Sequence, residues 1–341
     1  MNRNLFLISK PFLLVSLILV LACNNHSKRY ISPNDTRYSE DIRTISKRIN
    51  KDPKNAELYY NRANVFFIEK IYGEAIADIE VAIELSPQNA FYYYKLGEYY
   101  MAGDTANAKG AEKAYIKSIE LDPSQVEPHL QYAILLLAKQ RYKETVEQLT
   151  AVLNINPSNS DAMFFLGMVN KETQDTAQAI KRFQETANID NNYYNAYMQL
   201  AYLLMDSKPE LALSYIDNAI RIDEFSDEAH YLKGIILEEK GEYIIAKEFY
   251  KRTIELNPQH RFAYYRLAYI NAEIDKNMEK ALEYLNKLLS VDPDFVPGLH
   301  FRGAVYKQVG MKNNALEDWE KAARLDPENE EIQADLADLK G

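Results

Sequence analysis

Apolar residues recur along most of the chain at the spacing of amphipathic helices, and proline interrupts this pattern at regular intervals. Seven of the twelve prolines follow one another at steps of 33 to 36 residues, if Asn191 and Glu224 fill the two empty positions. These prolines are Pro53, Pro87, Pro123, Pro157, Pro258, Pro293 and Pro327. Each interval has room for two helices, and proline ends the second because it cannot continue a helix. The pattern predicts an all-α chain of eight helix pairs.

Within each interval two positions hold small residues. The eighth residue is always Ala or Gly: Ala63, Gly97, Ala133, Gly167, Ala201, Gly234, Ala268 and Gly303. The twentieth is Ala in seven copies and Thr145 in the other. This pattern resembles the tetratricopeptide repeat, and the resemblance covers residues 56–327 in eight copies. It implies an α-α superhelix (TPR solenoid) of helix-turn-helix repeats, in which small residues let the helices approach closely.

Both ends of the array carry an amphipathic segment. Residues 38–52 place Ile42, Ile45 and Ile49 on one helical face, and residues 328–341 do the same with Ile332, Leu336 and Leu339. A one-dimensional stack needs such helices to cover its end repeats. We therefore expect an N-terminal and a C-terminal capping helix.

The first twenty-three residues have a different pattern. Arg3 and Lys10 precede an apolar run that ends at Cys23, and the run Val20-Leu21-Ala22-Cys23 resembles the lipobox of bacterial lipoproteins. The resemblance implies that residues 1–22 are a signal peptide and that Cys23 carries the lipid. The alternative is an uncleaved membrane helix, although Lys10 divides its apolar stretch. Residues 23–37 are polar and aperiodic, which is typical of a flexible tether.

Composition narrows the choice of partners and compartment. The chain has 341 residues and one Cys, so it cannot form an internal disulfide. Its formal charge of −10 makes nucleic acid an unfavourable partner, because binding to phosphates depends on Lys and Arg. We expect a lipid-anchored protein of the bacterial cell envelope. The residue after Cys23 is Asn24 instead of Asp, which favours the outer over the inner membrane by the sorting rules of some bacteria.

Motifs for catalysis are absent from the sequence. It contains no Gly-rich phosphate loop, HExxH, CxxC or nucleophile elbow, and no two of its five His residues have metal-ligand spacing on one helix. We expect no enzyme activity, no cofactor and no metal. Asp104-Thr105-Ala106 and Asp175-Thr176-Ala177 resemble a bacterial O-glycosylation acceptor, with helix capping as the alternative.

The family resemblance also implies a binding groove. In tetratricopeptide domains the first helix of each repeat lines a concave face through its second, fifth, ninth and twelfth residues. At the last three of these positions the apolar candidates are Tyr60, Phe67, Tyr94, Met101, Leu130, Ile134, Leu137, Phe164, Met168, Met198, Tyr202, Met205, Tyr231, Tyr265 and Tyr269. Asn64, Lys171 and Lys307 are too dispersed to clamp a carboxylate. The alternative is that positions five and twelve pack between repeats.

The Tyr- and Met-rich lining favours other proteins as partners, bound through an apolar extended or helical segment. The sequence thus indicates a non-enzymatic, membrane-tethered interaction scaffold, as an accessory factor of an envelope assembly or secretion system. A chaperone-like holdase for exported proteins and a regulator of an envelope hydrolase are the alternatives. Self-association also stays open, because an apolar lining can recruit a second copy.

Overall fold

The computed structural model describes residues 31–32, 35–103 and 106–340, and within them every regular element is a helix. The helices are α1 Glu40–Lys51, α2 Ala56–Ile68, α3 Tyr72–Leu85, α4 Ala90–Met101, α5 Ala108–Leu121, α6 Val126–Ala138, α7 Tyr142–Ile155, α8 Ser160–Glu172 and α9 Thr176–Ile189. They continue with α10 Tyr194–Leu204, α11 Pro209–Ile222, α12 Asp227–Glu239, α13 Tyr243–Leu256, α14 Arg261–Tyr269, α15 Met278–Val291, α16 Val296–Gln308, α17 Lys312–Leu325 and α18 Glu330–Lys340. The predicted all-α fold of helix-turn-helix repeats is confirmed. The predicted lipidation site, Cys23, and Thr105 lie outside the described residues.

The chain divides into two compact units, with the boundary between Pro128 and His129 inside α6. In the first unit α1 packs on α2, and each following helix up to α5 packs on its neighbour. In the second unit the same nearest-neighbour packing runs from α7 to α18. Each unit is therefore a stack in which a repeat contacts the repeats next to it, as expected of this class of fold.

The two end helices bury their apolar faces. In α1, Ile42 and Ile49 are buried against the first repeat, and the Ser39 hydroxyl accepts a bond from the Ile42 N–H to cap the helix. In α18, Ile332 and Leu336 are buried in the core of the second unit. Both helices thus cover a repeat that would otherwise expose its apolar side.

The contact between the eighth and the twenty-fourth residue alternates between two types along the repeats. Where the eighth residue is Gly, the twenty-fourth is an aromatic residue: the pairs are Gly97–Tyr115, Gly167–Phe183, Gly234–Tyr250 and Gly303–Trp319. A Cβ on any of these glycines would lie 2.3 to 2.6 Å from the ring. Where the eighth residue is Ala, the twenty-fourth is aliphatic and fully buried: Ile79, Leu149, Ile216 and Leu285. In each repeat the size of the twenty-fourth side chain therefore fits the space that Gly or Ala leaves at the eighth position.

The seventh repeat contains a feature that the periodicity did not predict. Between Pro258 and Pro293 the step is 35 residues, and α14 continues into a π-helical turn over Ile270–Ile274. A π turn holds one more residue than an α turn. The buried side-chain amide of Asn271 donates to the Leu267 carbonyl at 2.6 Å, which satisfies a backbone group beside the irregular turn.

Candidate protein-binding surface

Three predicted groove residues of the first unit, Tyr60, Phe67 and Tyr94, belong to two groups of contacting aromatic rings. Tyr60 makes an edge contact with Phe91 at a centroid distance of 5.2 Å, and Phe67 stacks on Tyr99 at 4.7 Å. Phe91 is 37 % exposed and contacts the half-buried Tyr94 at 6.2 Å. These rings hold one another in place, so the first unit presents a preorganised aromatic surface.

Polar groups border this aromatic surface. The Lys95 ammonium lies 5.5 Å from the Phe91 ring and 5.0 Å from the Tyr94 ring, and it pairs with Glu98 at 2.7 Å. Burial raises the pKa of Tyr94, and a hydrogen bond to the Glu98 carboxylate raises it further. Met101 ends α4 and is 40 % exposed. The exposed rim therefore combines a thioether with paired charges.

In the second unit most predicted groove residues keep accessible surface. Tyr202 and Tyr269 are 40 % and 38 % exposed. Seven others are half-buried: Leu130, Ile134, Leu137, Met168, Met205, Tyr231 and Tyr265. The Tyr202 hydroxyl donates to Glu228 at 3.2 Å, so its orientation is fixed. Like Tyr60, Phe67 and Tyr94 of the first unit, these side chains are partly exposed to solvent.

Two of the fifteen predicted residues are core residues instead. Phe164 is 8 % exposed and contacts Phe183 and Tyr193 at centroid distances of 5.4 and 5.1 Å. Met198 is 3 % exposed within the same core. Both occupy the fifth position, and in these repeats the fifth side chain packs between helices. The expectation that Phe164 and Met198 line a groove is therefore corrected, and the alternative left open by the sequence applies to them.

A polar cluster interrupts the apolar surface of the second unit. Glu238, the twelfth residue of its repeat, accepts a hydrogen bond from the Tyr250 hydroxyl at 2.5 Å and pairs with Arg266 at 3.3 Å. Burial alone would lower the pKa of Arg266, but the Glu238 carboxylate raises it above its usual value. Burial raises the pKa of Tyr250, and the bond to Glu238 raises it further. The opposite charges of Glu238 and Arg266 compensate each other, so the cluster holds these side chains in place.

Three accessible residues on the first helices of their repeats were not among those predicted from the sequence. Arg266 occupies the sixth position, for which the family pattern predicts no groove role. Phe91 and Phe262 occupy the second position and are 37 % and 45 % exposed. The family pattern includes that position, so the signal for both aromatic residues was present in the sequence.

Of the three residues suited to holding a carboxylate, Asn64, Lys171 and Lys307, the two lysines already have partners within the chain. The Lys171 ammonium donates to the Gln199 side chain at 2.8 Å, and Lys307 pairs with Asp338 at 2.6 Å. These partners lie on neighbouring helices of the second unit. The surface is therefore defined by aromatic and thioether groups more than by free cations.

Asp175 caps α9 by accepting from the Gln178 N–H at 3.1 Å, which matches the capping alternative for the motif at Thr176. In residues 31–32, 35–103 and 106–340, no group of three or more His, Cys, Asp or Glu side chains is placed to hold a metal ion. None of the helices in that part of the chain combines the length and hydropathy needed for a membrane span.

These features define a class of protein: stacked helical hairpins with a partly exposed aromatic face. Two sequence models of the tetratricopeptide repeat match residues 43–90, 227–260 and 263–295, about a third of the chain. They confirm that the chain contains tetratricopeptide repeats. Such repeat proteins generally mediate protein–protein interactions.

Individual relatives share the repeats at low identity. The chain is 22 % identical over 312 residues to the human protein O-mannosyl-transferase TMTC3, a match that covers 88 % of this chain and 33 % of that protein. It is 23 % identical over 303 residues to a tetratricopeptide repeat-containing protein of Methanocaldococcus jannaschii, with 86 % and 48 % covered. This chain therefore spans half or less of the length of these two relatives.

A solved structure supports the fold independently. The C-terminal part of a tetratricopeptide repeat protein from Cytophaga hutchinsonii aligns with a TM-score of 0.60 and 18 % identity. The alignment covers 72 % of this chain and 98 % of that structure. At this identity the likeness establishes the fold alone.

Proposed function

We propose that this protein is a non-enzymatic, membrane-tethered scaffold that binds an apolar extended or helical segment of partner proteins. The observation that carries the proposal is the accessible Tyr and Met side chains at the family's groove positions in each unit. The most exposed of them are Met101 in the first unit and Tyr202 and Tyr269 in the second. Tyr offers a large rigid contact area, and Met adapts its shape to different partners. An amphipathic helix or an apolar strand is the segment that such a surface fits.

The tether follows from the N-terminal sequence. A lipid on Cys23 would hold the protein at a bilayer, because each buried methylene of an acyl chain contributes about 0.8 kcal/mol. Residues 23–37 would then let the repeats meet partners near the membrane at a raised effective concentration. This arrangement suits an accessory factor of an envelope assembly or secretion system.

The binding surface is tested by a matched pair of variants. Tyr202→Ser with Tyr269→Ser removes two exposed aromatic residues of the surface, whereas Phe225→Ser with Ile244→Ser removes two residues that are 67 % and 79 % exposed outside the groove positions. In crosslinking of whole cells, the first variant should lose most of the recovery of one or a few stoichiometric partners. The second should keep it, with helical circular dichroism unchanged in both. Equal recovery from both variants would refute the proposed surface.

The same variants separate the scaffold from a holdase. A holdase binds many unfolded chains and suppresses aggregation of a chemically unfolded model protein. The scaffold should leave such aggregation unchanged at equimolar amounts. Broad suppression that the Tyr202→Ser/Tyr269→Ser variant loses would favour the holdase instead.

The anchor needs its own measurement. Cys23→Ser should move the protein from the membrane fraction to the soluble fraction, and intact mass of the native protein should show an acylated N-terminal Cys. Removal of the signal peptide without added lipid mass would contradict the lipoprotein.

A further inference from the structure

The last two repeats and the final helix enclose a trough of mixed character in the second unit. It has a volume of about 550 Å³ and lies among α14, α16 and α18. The residues that matter here are Tyr265, Val296, Phe301, Asp326, Glu331 and Asp335, and we call this site the C-terminal trough. Tyr265 and Phe301 contact each other at a centroid distance of 5.6 Å and form its aromatic part.

The fixed charges of the C-terminal trough are all negative. Its lining contains three carboxylates, from Asp326, Glu331 and Asp335, and no Lys or Arg. Asp335 pairs with His300 at 2.7 Å, and Asp326 accepts from the Asn329 amide at 3.2 Å. Burial raises the pKa of Tyr265; the charge of Arg266, which is not part of the lining, opposes the rise, and Tyr269 and Glu331 add to it. A concave site of one sign of charge attracts a counter-charge.

In the preceding repeat the chain itself supplies an arginine to the aspartate at the corresponding position. There Arg261 pairs with Asp292 at 2.6 Å, and its guanidinium lies over the rings of Phe262 and Phe295 at 4.8 and 5.2 Å. Arg261 is the third residue after Pro258, and Asp292 immediately precedes Pro293.

In the last repeat the carboxylate remains but the arginine does not. The residue before Pro327 is Asp326, whereas the third residue after Pro293 is Val296. Both line the C-terminal trough. The trough therefore keeps the acid and gains further carboxylates from α18, while its own chain supplies an aliphatic side chain where the previous repeat has a guanidinium.

We infer that the C-terminal trough receives an arginine side chain from the bound partner segment. The inference rests on the proposed function and adds the chemistry of one anchor residue. A guanidinium is planar and weakly hydrated, so it lies on the rings of Tyr265 and Phe301 while its N–H groups donate to carboxylates. In the last repeat Pro297 and Asn329 occupy the positions of Phe262 and Phe295, so the rings of the trough come from Tyr265 and Phe301 instead. The pairing of Arg261 with Asp292 is the contact expected between the partner's arginine and Asp326.

Two synthetic peptides test the inference directly. The probe is acetyl-Gly-Leu-Ser-Arg-Leu-Ser-Gly-amide with a fluorescent label, and its control has citrulline, the neutral isostere, in place of arginine. Because charge-assisted hydrogen bonds are about twice as strong as neutral ones, the arginine peptide should bind the full chain about tenfold more tightly. Equal affinity of the two peptides in fluorescence anisotropy would overturn the inference.

A reporter inside the protein locates the bound peptide. Trp319 is the single tryptophan of the chain, its indole N–H donates to the His300 carbonyl at 2.9 Å, and its ring lies 6.2 Å from the His300 ring. Since His300 pairs with Asp335, a guanidinium in the trough should change the tryptophan emission. A binding isotherm from anisotropy with no change in this emission would place the peptide elsewhere and contradict the inference.

Matched carboxylate variants complete the test. Glu331→Gln removes one exposed charge of the C-terminal trough, and Glu328→Gln makes the same change in the adjoining turn outside it. The first should remove most of the preference for arginine over citrulline, and the second should keep it. If both variants keep it, the inference fails.

The proposed function can fail separately from this inference. Tyr202→Ser with Tyr269→Ser tests whether the wider surface holds partners, whereas Glu331→Gln tests only the arginine anchor. Partner recovery that depends on the tyrosines but not on Glu331 would refute the anchor and leave the scaffold intact. Arginine-selective peptide binding without any dependence of partner recovery on the tyrosines would refute the scaffold surface instead.

Discussion

In the first and last repeats an arginine and an aspartate make the same arrangement with a polar side chain of a preceding helix, Ser46 of α1 or Asn286 of α15. In the first, Arg62 makes a two-bond contact with Asp78, at 2.6 and 2.9 Å, and donates to the Ser46 hydroxyl at 2.9 Å. In the last, Arg302 makes the two-bond contact with Asp318 at 2.7 Å for both bonds. Asn286 takes the place of the serine at 2.8 Å. In both repeats the three residues are spaced sixteen apart along the chain.

Burial distinguishes the two arrangements. The side chains of Arg62 and Asp78 are 2 % and 3 % exposed, whereas that of Arg302 is 20 % exposed and that of Asp318 is 6 % exposed. The Arg62–Asp78 hydrogen bonds of the first repeat therefore lie in a dry interior. The equivalent Arg302–Asp318 bonds of the last repeat lie closer to water. Breaking a pair in the dry interior leaves a charge that water cannot reach, so depth, more than geometry, should decide what each contact contributes.

The largest expected effect comes from Arg62→Met. It leaves the buried Asp78 carboxylate without its guanidinium partner, and such a change typically destabilises a protein by about 3–5 kcal/mol. Hydrogen exchange of the α2 and α3 amides in the full chain should report this loss locally, because repeats respond mainly with their neighbours. Unchanged protection of α2 and α3 would contradict the role assigned to burial.

Arg302→Met makes the same change at the more exposed site. Water can reach part of the Arg302 side chain and can solvate the remaining carboxylate, so we expect a loss of about 1–2 kcal/mol. The measurement is exchange of the α16 and α17 amides under the same conditions. A loss equal to that of Arg62→Met would show that geometry, and not depth, sets the contribution.

The third partners provide a smaller test. Ser46→Ala removes a buried acceptor of Arg62 and should cost about 1 kcal/mol, the usual net contribution of one hydrogen bond. Asn286→Ala should cost less, because its partner guanidinium is closer to water. Urea unfolding of both variants, followed by helical circular dichroism, ranks them, and the reverse order would count against the comparison.

The smallest net effect is expected from a double replacement. Arg62→Met combined with Asp78→Leu removes both charges together, and apolar replacement of a buried pair is often close to neutral, within about 1 kcal/mol. The double variant should therefore be more stable than Arg62→Met alone in the same exchange experiment. A double variant as unstable as Arg62→Met alone would show instead that the pair stabilises the repeat beyond its own desolvation cost.

Much of the fold was predictable because it depends on short-range spacing. The prolines, the small eighth residues and the apolar faces of the end helices each act within one repeat or between neighbours. The π turn at Ile270–Ile274 was not predicted, since an extra residue between two helices leaves their patterns unchanged.

The surface was less predictable than the fold. A position in a repeat fixes which face a residue occupies, but not how much of it the next repeat covers, which is why Phe164 and Met198 are buried. The Glu238–Arg266 pair joins two repeats and depends on side-chain reach that spacing does not encode.

The pairing of glycine with a large ring constrains the order in which substitutions can accumulate. At Gly234, alanine would place its methyl group 2.5 Å from the Tyr250 ring, so that change has to wait until the ring has become smaller. The opposite order first opens a cavity, which is costly but leaves the backbone in place. An evolutionary path from an aromatic repeat to an aliphatic one should therefore pass through a loosely packed intermediate with glycine and leucine, and not through one with alanine and tyrosine.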